Sequence, residues 1–488
     1  MVGYPVLYAA LGAALGYYGF RSPVLLFPAC LALIGFISLF RALASLGGVD
    51  GLSRERPVYR KLRGFSLCVT ALGAGFVLGA AAGSAAFREP SPGLPREDLA
   101  GLSGILLDDP RTLNGGGGMG RLLLRNAAGR NGSRVSAGGE MQVFFPGEAL
   151  SRLKGFGRSS EVYVEGSPLE GQLFRAASVH ILKTAPPLET FRTRLRMGLL
   201  ERLALHSWGG LAAALLLGVR DNLDQEIGLA YRRAGCSHVL ALSGMHLAII
   251  SSIIAFLLKK PLGLKGAAAA GGVFILGYVF LVGQQPSLER AAIMYVLGAL
   301  AALGTLPRKP ILLLGMAFII QLVFRPASGN SLSFIFSYLA LGGILLIGEA
   351  LGDLFRGYLP PVPAAPLSAS LGAFIATQTA GAAFFGVLYP AGIIAGLVIV
   401  PAITLFMIVS IIWLVPGLLF PPLAAPVGII LSMLYDVQER LAVFASRFPA
   451  LTAENPLPVL GFSLAVSALI LFFRKRRMEA RNRLAPFA

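Results

Sequence analysis

From Ser207 to Phe473 the chain is apolar almost without interruption, more apolar sequence in one run than a soluble core absorbs. A membrane-crossing helix needs about 20 apolar residues, and inside lipid only helices and closed barrels satisfy every backbone polar group. The run must therefore divide into stacked membrane helices, and its polar punctuation marks where. Breaks fall at Arg220 to Gln225, Lys259 to Lys265, Gln284 to Ser287, Pro307 to Pro310, Arg325 to Asn330 and Gly352 to Pro366, with others near Tyr389, Pro416 and Ala453. Composition agrees, at 55% hydrophobic and 14% charged over 488 residues, where a soluble chain is roughly a quarter charged. The fold class is a polytopic α-helical membrane protein of about ten to twelve membrane segments, some broken. It carries an inserted β domain.

The amino-terminal part orients the chain. Met1 to Tyr4 holds no Lys or Arg, so the run from Pro5 to Phe20 reads as a retained span and not a signal peptide. A second run covers Val24 to Leu46. In "SRERPVYRKLR", Arg54, Arg56, Arg60, Lys61 and Arg63 face one acid, which places this loop in the cytoplasm. A third run, Gly64 to Phe87, then exits outward, so residues 1–87 are expected to be three membrane helices. Over residues 88–186 the runs stop, and short alternating stretches such as "GRLLLRN", "EMQVFFPG" and "SEVYVEG" predict five strands of a small antiparallel barrel or sandwich. An OB-like extracytoplasmic barrel fits this pattern. Residues 187–206 place Phe191, Leu195, Leu199 and Leu203 four apart among arginines, the pattern of an interfacial amphipathic helix or of a helix packed on the barrel. The membrane core is 207–473, and the basic tail, 474–488, is cytoplasmic by its charge. The expected location is the plasma (inner) membrane, multi-pass.

A net charge of +18 has an ordinary source in cytoplasmic Lys and Arg. Arg111, Arg121, Arg125, Arg130 and Arg134 need another, because they surround "NGGGGMG" on the outer side, with no acid from Arg111 until Glu140. A solvated loop is one explanation. Neutralising a single-stranded nucleic-acid backbone is the other, with scattered aromatics such as Phe144 and Tyr163 for stacking.

The most informative segment is "AGCSHVLALSGMHLAII", Ala234 to Ile250. His238 and His246 stand eight apart, which on an unbroken helix is about 12 Å of rise and too far for one metal. No metal or cofactor is expected. Ser243 and His246 could imitate a nucleophile and base, but the GxSxG frame is missing at Ala241 and no third acid is evident. A helix interrupted at Gly244, with Ser237, His238, Ser243 and His246 lining a wet path, is more economical. Gln284, Glu289, Arg290, Ser333 and Gln378 are further lining candidates. For Glu289 and Arg290 the plainer alternative is a loop-edge pair, and for the amides and hydroxyls it is helix-to-helix hydrogen bonding. The phosphate-binding loop G-x-x-x-x-G-K-[ST] is absent. With only four histidines there is no metallohydrolase motif either, so no enzymatic activity is expected of this chain.

The ordered blocks "LLLGVRDNLDQEIGLAYRRAGCSHVLALSGMHLAII", "GQQPSLERAAIMYVLGALA", "SLSFIFSYLALGGI" and "SLGAFIATQTAGAAFFGVLYPAGIIAGLVIVP" resemble the competence domain of the ComEC family of DNA-import proteins. The motif positions are Leu217, Gly218, Arg233, Gly235, Ser237, His238, Ser243, Gly244, His246, Arg290, Ser333, Phe334 and Gln378. The resemblance implies an inner-membrane channel passing single-stranded DNA into the cytoplasm during natural transformation. It also implies a separate DNA receptor, a separate cytoplasmic motor and a separate nuclease as partners, while oligomeric state stays open. Many family members carry a metallo-β-lactamase-like domain after the core. Only about fifteen residues follow Phe473 here, so nuclease activity is expected elsewhere. Gly396 stands where the family has Asn, which removes any role resting on that amide. Two alternatives remain: a membrane-embedded hydrolase or transferase using Ser243 and His246, and a transporter of another polyanion.

Overall fold

The structure, a computed structural model, describes residues 5–19, 57–86, 91–112, 116–153, 156–169, 173–283, 285–302, 309–356, 358–419, 421–453 and 455–484. The second expected span, Val24 to Leu46, lies outside them. The third expected run is helical over Pro57–Ala86, so this helix begins inside the expected basic loop, with proline at its first position where a missing N–H costs nothing. The chain is mostly helical with a β-sheet region, and it divides into two units: Arg88–Leu288 with Tyr389–Leu451, and Met1–Phe87 with Glu289–Leu388 and Thr452–Ala488.

In the first of these units, alternation builds a closed sheet. Strands β1 (Leu99–Leu106), β2 (Gly118–Gly129), β3 (Glu140–Phe145), β4 (Glu161–Pro168) and β5 (Leu173–Lys183) carry it. β1 pairs antiparallel with both β2 and β4, β2 with β3, and β4 with β5. The remaining pair, β3 with β5, is parallel, so the all-antiparallel expectation is corrected at one seam. A parallel pair needs a long crossover, and here the Gly147–Leu153 helix and β4 supply it. The ring leaves none of these five strands as an open edge. Its interior is Leu102, Leu122, Val143, Phe145, Val162, Val164 and Phe174, all fully buried and each contributing about 2 kcal/mol. Outward positions on β2, such as Arg121 and Arg125, alternate with these.

The same unit holds a helical core. The Gly209–Leu217 helix is buried on every side, as its all-apolar sequence requires. It ends at left-handed Gly218 (φ 68°), and its last carbonyls are taken by Tyr278 Oη on Leu216 (2.8 Å) and Arg196 Nη2 on Leu217 (3.4 Å). Leu199, Leu203, Trp208, Ile403, Phe406 and Trp413 belong to one buried cluster around it. The expected stripe on Pro187–Ala204 is therefore split, because Leu199 and Leu203 are buried while Phe191 and Leu195 are exposed.

Among the described residues four helices are long and apolar enough to cross a membrane: Gly244–Gly263, Leu332–Phe355, Gly392–Leu414 and Pro456–Arg474. Thr70–Ser84, Gly266–Val282 and Pro310–Phe324 are shorter apolar helices. The first span ends at a kink where Gly263 takes φ 67°, two residues after Pro261.

In the other unit Pro5–Gly19 crosses Pro57–Ala86 through two facing small-residue pairs. A Cβ at Gly12 or Gly16 would fall on the carbonyl of Leu72 or Phe76, and one at Gly75 or Gly79 on that of Ala9 or Ala13. Backbones this close exclude any side chain at these positions, the small-residue packing that lets membrane helices approach closely. Gly79→Leu is expected to separate the pair and cost at least about 3 kcal/mol, read as a fall in thermal stability of the purified protein.

Candidate functional site

The motif segment is a chain reversal between two capped helices. Asp224 starts the first, accepting from the backbone N–H of Glu226 (2.7 Å) and Ile227 (3.4 Å), and Arg232 and Arg233 close it against the negative end of its dipole. Gly235 then takes φ 72°, with Gly235 N–H on Arg232 (3.1 Å) and Cys236 N–H on Tyr231 (2.9 Å). A Cβ there would lie 2.9 Å from Tyr389 Cβ and 3.0 Å from Gly392 Cα. Ser237 and His238 follow in an exposed turn, and the chain stays non-helical until Ser243. The expected interruption at Gly244 is thus a longer break, from Gly235 to Ser243, and Gly244 is the first residue of the next helix. The two histidines never share a helix.

Ser243 has the extended backbone of a helix N-cap (φ −130°, ψ 170°), and its N–H donates to His246 Nδ1 at 3.0 Å, the reciprocal half of a capping box. Ser243 Oγ also lies 3.0 Å from Nδ1. His246 is fully buried, and its Nε2 finds no partner among the described residues. Because Nδ1 accepts, the neutral ring carries its proton on Nε2, a buried donor left unspent. The break is braced by buried Ser287, whose hydroxyl donates to the Leu242 carbonyl, and by Leu242 packing against Gly218, where a Cβ would sit 2.6 Å from Leu242 Cδ1. Ser243→Ala is expected to cost about 1 kcal/mol through the lost cap, measured by thermal unfolding.

Glu289, Arg290, Ser333 and Gln378 lie in the other unit, and the side chain of Gln284 lies outside the described residues. Glu289 and Arg290, for which a loop-edge pair is the alternative to lining a path, do not pair with each other, since consecutive helix positions point about 100° apart. Glu289 bonds Arg325 (3.2 Å) and Gln321 (3.3 Å), and Gln321 in turn accepts from Tyr338 Oη (2.9 Å). Arg290 is buried, donates from Nη1 to the Ser337 carbonyl (2.9 Å) and lies 5.8 Å from the Tyr338 ring centre. Its Nε has no partner among the described residues. Gln378 donates to Ser463 Oγ (2.7 Å), with Thr379 Oγ1 3.3 Å from the same atom, which is helix-to-helix bonding. Ser333 sits in the first turn of a helix capped by Ser331 Oγ.

On the barrel, Arg121 is bound to Asp108 (2.9 Å) and Glu140 (3.3 Å), and Arg125 to Glu161 (3.0 Å). Arg130 and Arg134 are exposed, with no carboxylate in range among the described residues, and the Arg111 side chain lies outside them. The sequence did not reveal a second cluster nearby. Asp109 accepts from Arg192 (2.6 and 2.9 Å), from Arg196 and from the Arg158 N–H (3.0 Å), while Glu189 holds Arg192 Nε (2.7 Å) and Arg158 (2.8 Å). Arg192, its side chain fully buried, also reaches the Leu281 carbonyl (3.3 Å), so barrel, linking helix and the apolar Gly266–Val282 helix meet at one guanidinium. Burial pushes the Asp109 carboxyl upward, but the Arg192 hydrogen bond and the Arg196 and Arg192 charges outweigh it and hold it below its ordinary value. The only sequence signal was the paired acid Asp108–Asp109. Among the described residues no three of His, Cys, Asp and Glu gather as metal ligands.

Comparison with known proteins adds to this geometry. A family profile described as competence protein matches residues 215–478. An uncharacterized protein of Aquifex aeolicus (strain VF5) is 27% identical over 303 residues, covering 62% of this chain and 70% of that protein. ComE operon protein 3 of Bacillus subtilis (strain 168) is 32% identical over 138 residues, 26% of this chain and 17% of its own length. No solved structure matches.

Proposed function

The chain belongs to the competence protein family, and from that premise we propose that it is a multi-pass inner-membrane channel carrying single-stranded DNA into the cytoplasm during natural transformation. The observation that carries this is the break from Gly235 to Ser243, which lies inside the family-matched residues and leaves a buried histidine donor unspent. A polar interruption within an apolar core is where a membrane protein exposes backbone and side-chain dipoles to a passing substrate. Arg290, buried without a carboxylate in range among the described residues, suits an anionic one. About ten to twelve segments cross the membrane in this proposal, counting shorter helices and half-spans. The barrel is OB-like, supported by its ring order and by the helix before its fourth strand. It stands outside, the basic carboxyl-terminal segment inside, with Arg130 and Arg134 as its readiest phosphate contacts. Receptor, motor and nuclease are separate proteins, and the chain itself performs no hydrolysis.

Deleting the gene in a transformable host is expected to abolish entry of labelled DNA into the cytoplasm while leaving surface binding intact. Unchanged entry would overturn the channel. A hydrolase using Ser243 and His246 is less well supported, because Nδ1 is already engaged by the Ser243 N–H and no acid among the described residues orients the ring. It requires Ser243→Ala to abolish turnover with transport and folding spared. Transport of another polyanion would appear as equal competition by non-nucleic polymers.

A further inference from the structure

Two candidate spans, Leu332–Phe355 and Pro456–Arg474, end side by side. Arg474 bonds Glu349 (3.0 Å) and Asp353 (2.9 Å), and Arg477 donates to the carbonyls of Asp353 (2.9 Å), Leu354 (2.6 Å) and Arg356 (2.6 Å), closing the end of the Glu349–Phe355 helix. A shared end of two spans marks the level at which both leave hydrocarbon. At that level a shallow groove of about 540 Å³ is lined by Leu354, Tyr358, Phe473, Arg476 and Arg477. Leu354 and Phe473 come from the last turns of their spans, and the tyrosine and the two arginines stand just beyond. The arginines are unequally committed. Arg356 and Arg474 take the carboxylates, and Arg477 is spent on carbonyls. Arg476 is exposed, with its guanidinium 5.0 Å from the Phe472 ring centre and no carboxylate in range among the described residues.

We propose that this groove binds an anionic phospholipid, with the headgroup phosphate on Arg476 and the Tyr358 hydroxyl and an acyl chain along Leu354 and Phe473. A basic pocket between helix ends at the membrane surface has the chemistry that recognises such headgroups. An emerging DNA strand fits less well, because the floor is apolar and the adjoining helix exposes Phe462, Leu464, Leu469 and Phe472 along the span. The site stands independently of the transport reading.

The test uses the full chain in nanodiscs of phosphatidylcholine containing a small fraction of phosphatidylglycerol, with retained lipid counted after extraction. Phosphatidylglycerol is expected to be enriched over phosphatidylcholine. Arg476→Gln should lower the enrichment about fivefold, the value of one interfacial cation, and Arg476→Lys should keep most of it. Arg476 is exposed and supports no helix end, so thermal stability should be unchanged in both variants. No enrichment, equal enrichment in Arg476→Gln, or displacement of the lipid by inorganic phosphate or by a single-stranded oligonucleotide would each overturn the proposal.

Discussion

Replacing Asp109 with alanine is expected to lower stability by about 3 kcal/mol and to loosen the barrel from the helical core. The carboxylate is the acceptor shared by Arg192 and Arg196. Removing one partner of a buried pair leaves the other charge desolvated and uncompensated, which costs more than the pair itself contributed. Glu189 still holds Arg192 Nε, which sets the figure at the low end. Thermal unfolding of the purified protein reads the loss, and limited proteolysis between barrel and core reads the loosening; unaltered values for both would show the cluster to be idle. The same group fixes a pH dependence. Its folded pKa is lowered, so its contribution is fully present above the unfolded carboxylate value of about 4 and is lost as pH falls through the folded value. Wild-type stability should therefore decline in acid, and Asp109→Asn should show a shallower decline.

Gly235→Val is expected to do comparable harm at the motif itself. The residue holds φ 72°, where a side chain costs about 1–2 kcal/mol. Its Cβ would also press on Tyr389 and on the Gly392 backbone, adding about 1–3 kcal/mol. The added strain falls at the start of the break, so DNA entry should fail together with thermal stability. Gly235→Ala should be milder in packing while keeping the φ penalty. A Val variant that is stable and transports normally would show that the reversal does not need this geometry.

Features set by local chemistry were legible in the sequence. The four long apolar helices follow from run length and the barrel strands from alternation, whereas the extent of the break before Gly244 and its Ser243–His246 cap emerged only from the structure. The parallel β3–β5 seam was not legible, because nothing within either strand states which neighbour it will meet. Nor was the fate of the barrel arginines. Arg121 and Arg125 looked alike with Arg130 and Arg134 until Asp108 and Glu161 were brought beside the first two.

Hydrophobic run length and side-chain period act over a few turns, so the sequence by itself determined a membrane protein with an inserted sheet and a polar interruption in its core. Which charges are spent and which remain free is decided by residues far apart in the chain, Asp109 with Arg192 at a separation of 83 and Arg474 with Glu349 at 125. Electrostatic pairing depends on distance in space and not along the backbone, and only the tertiary structure sets that distance.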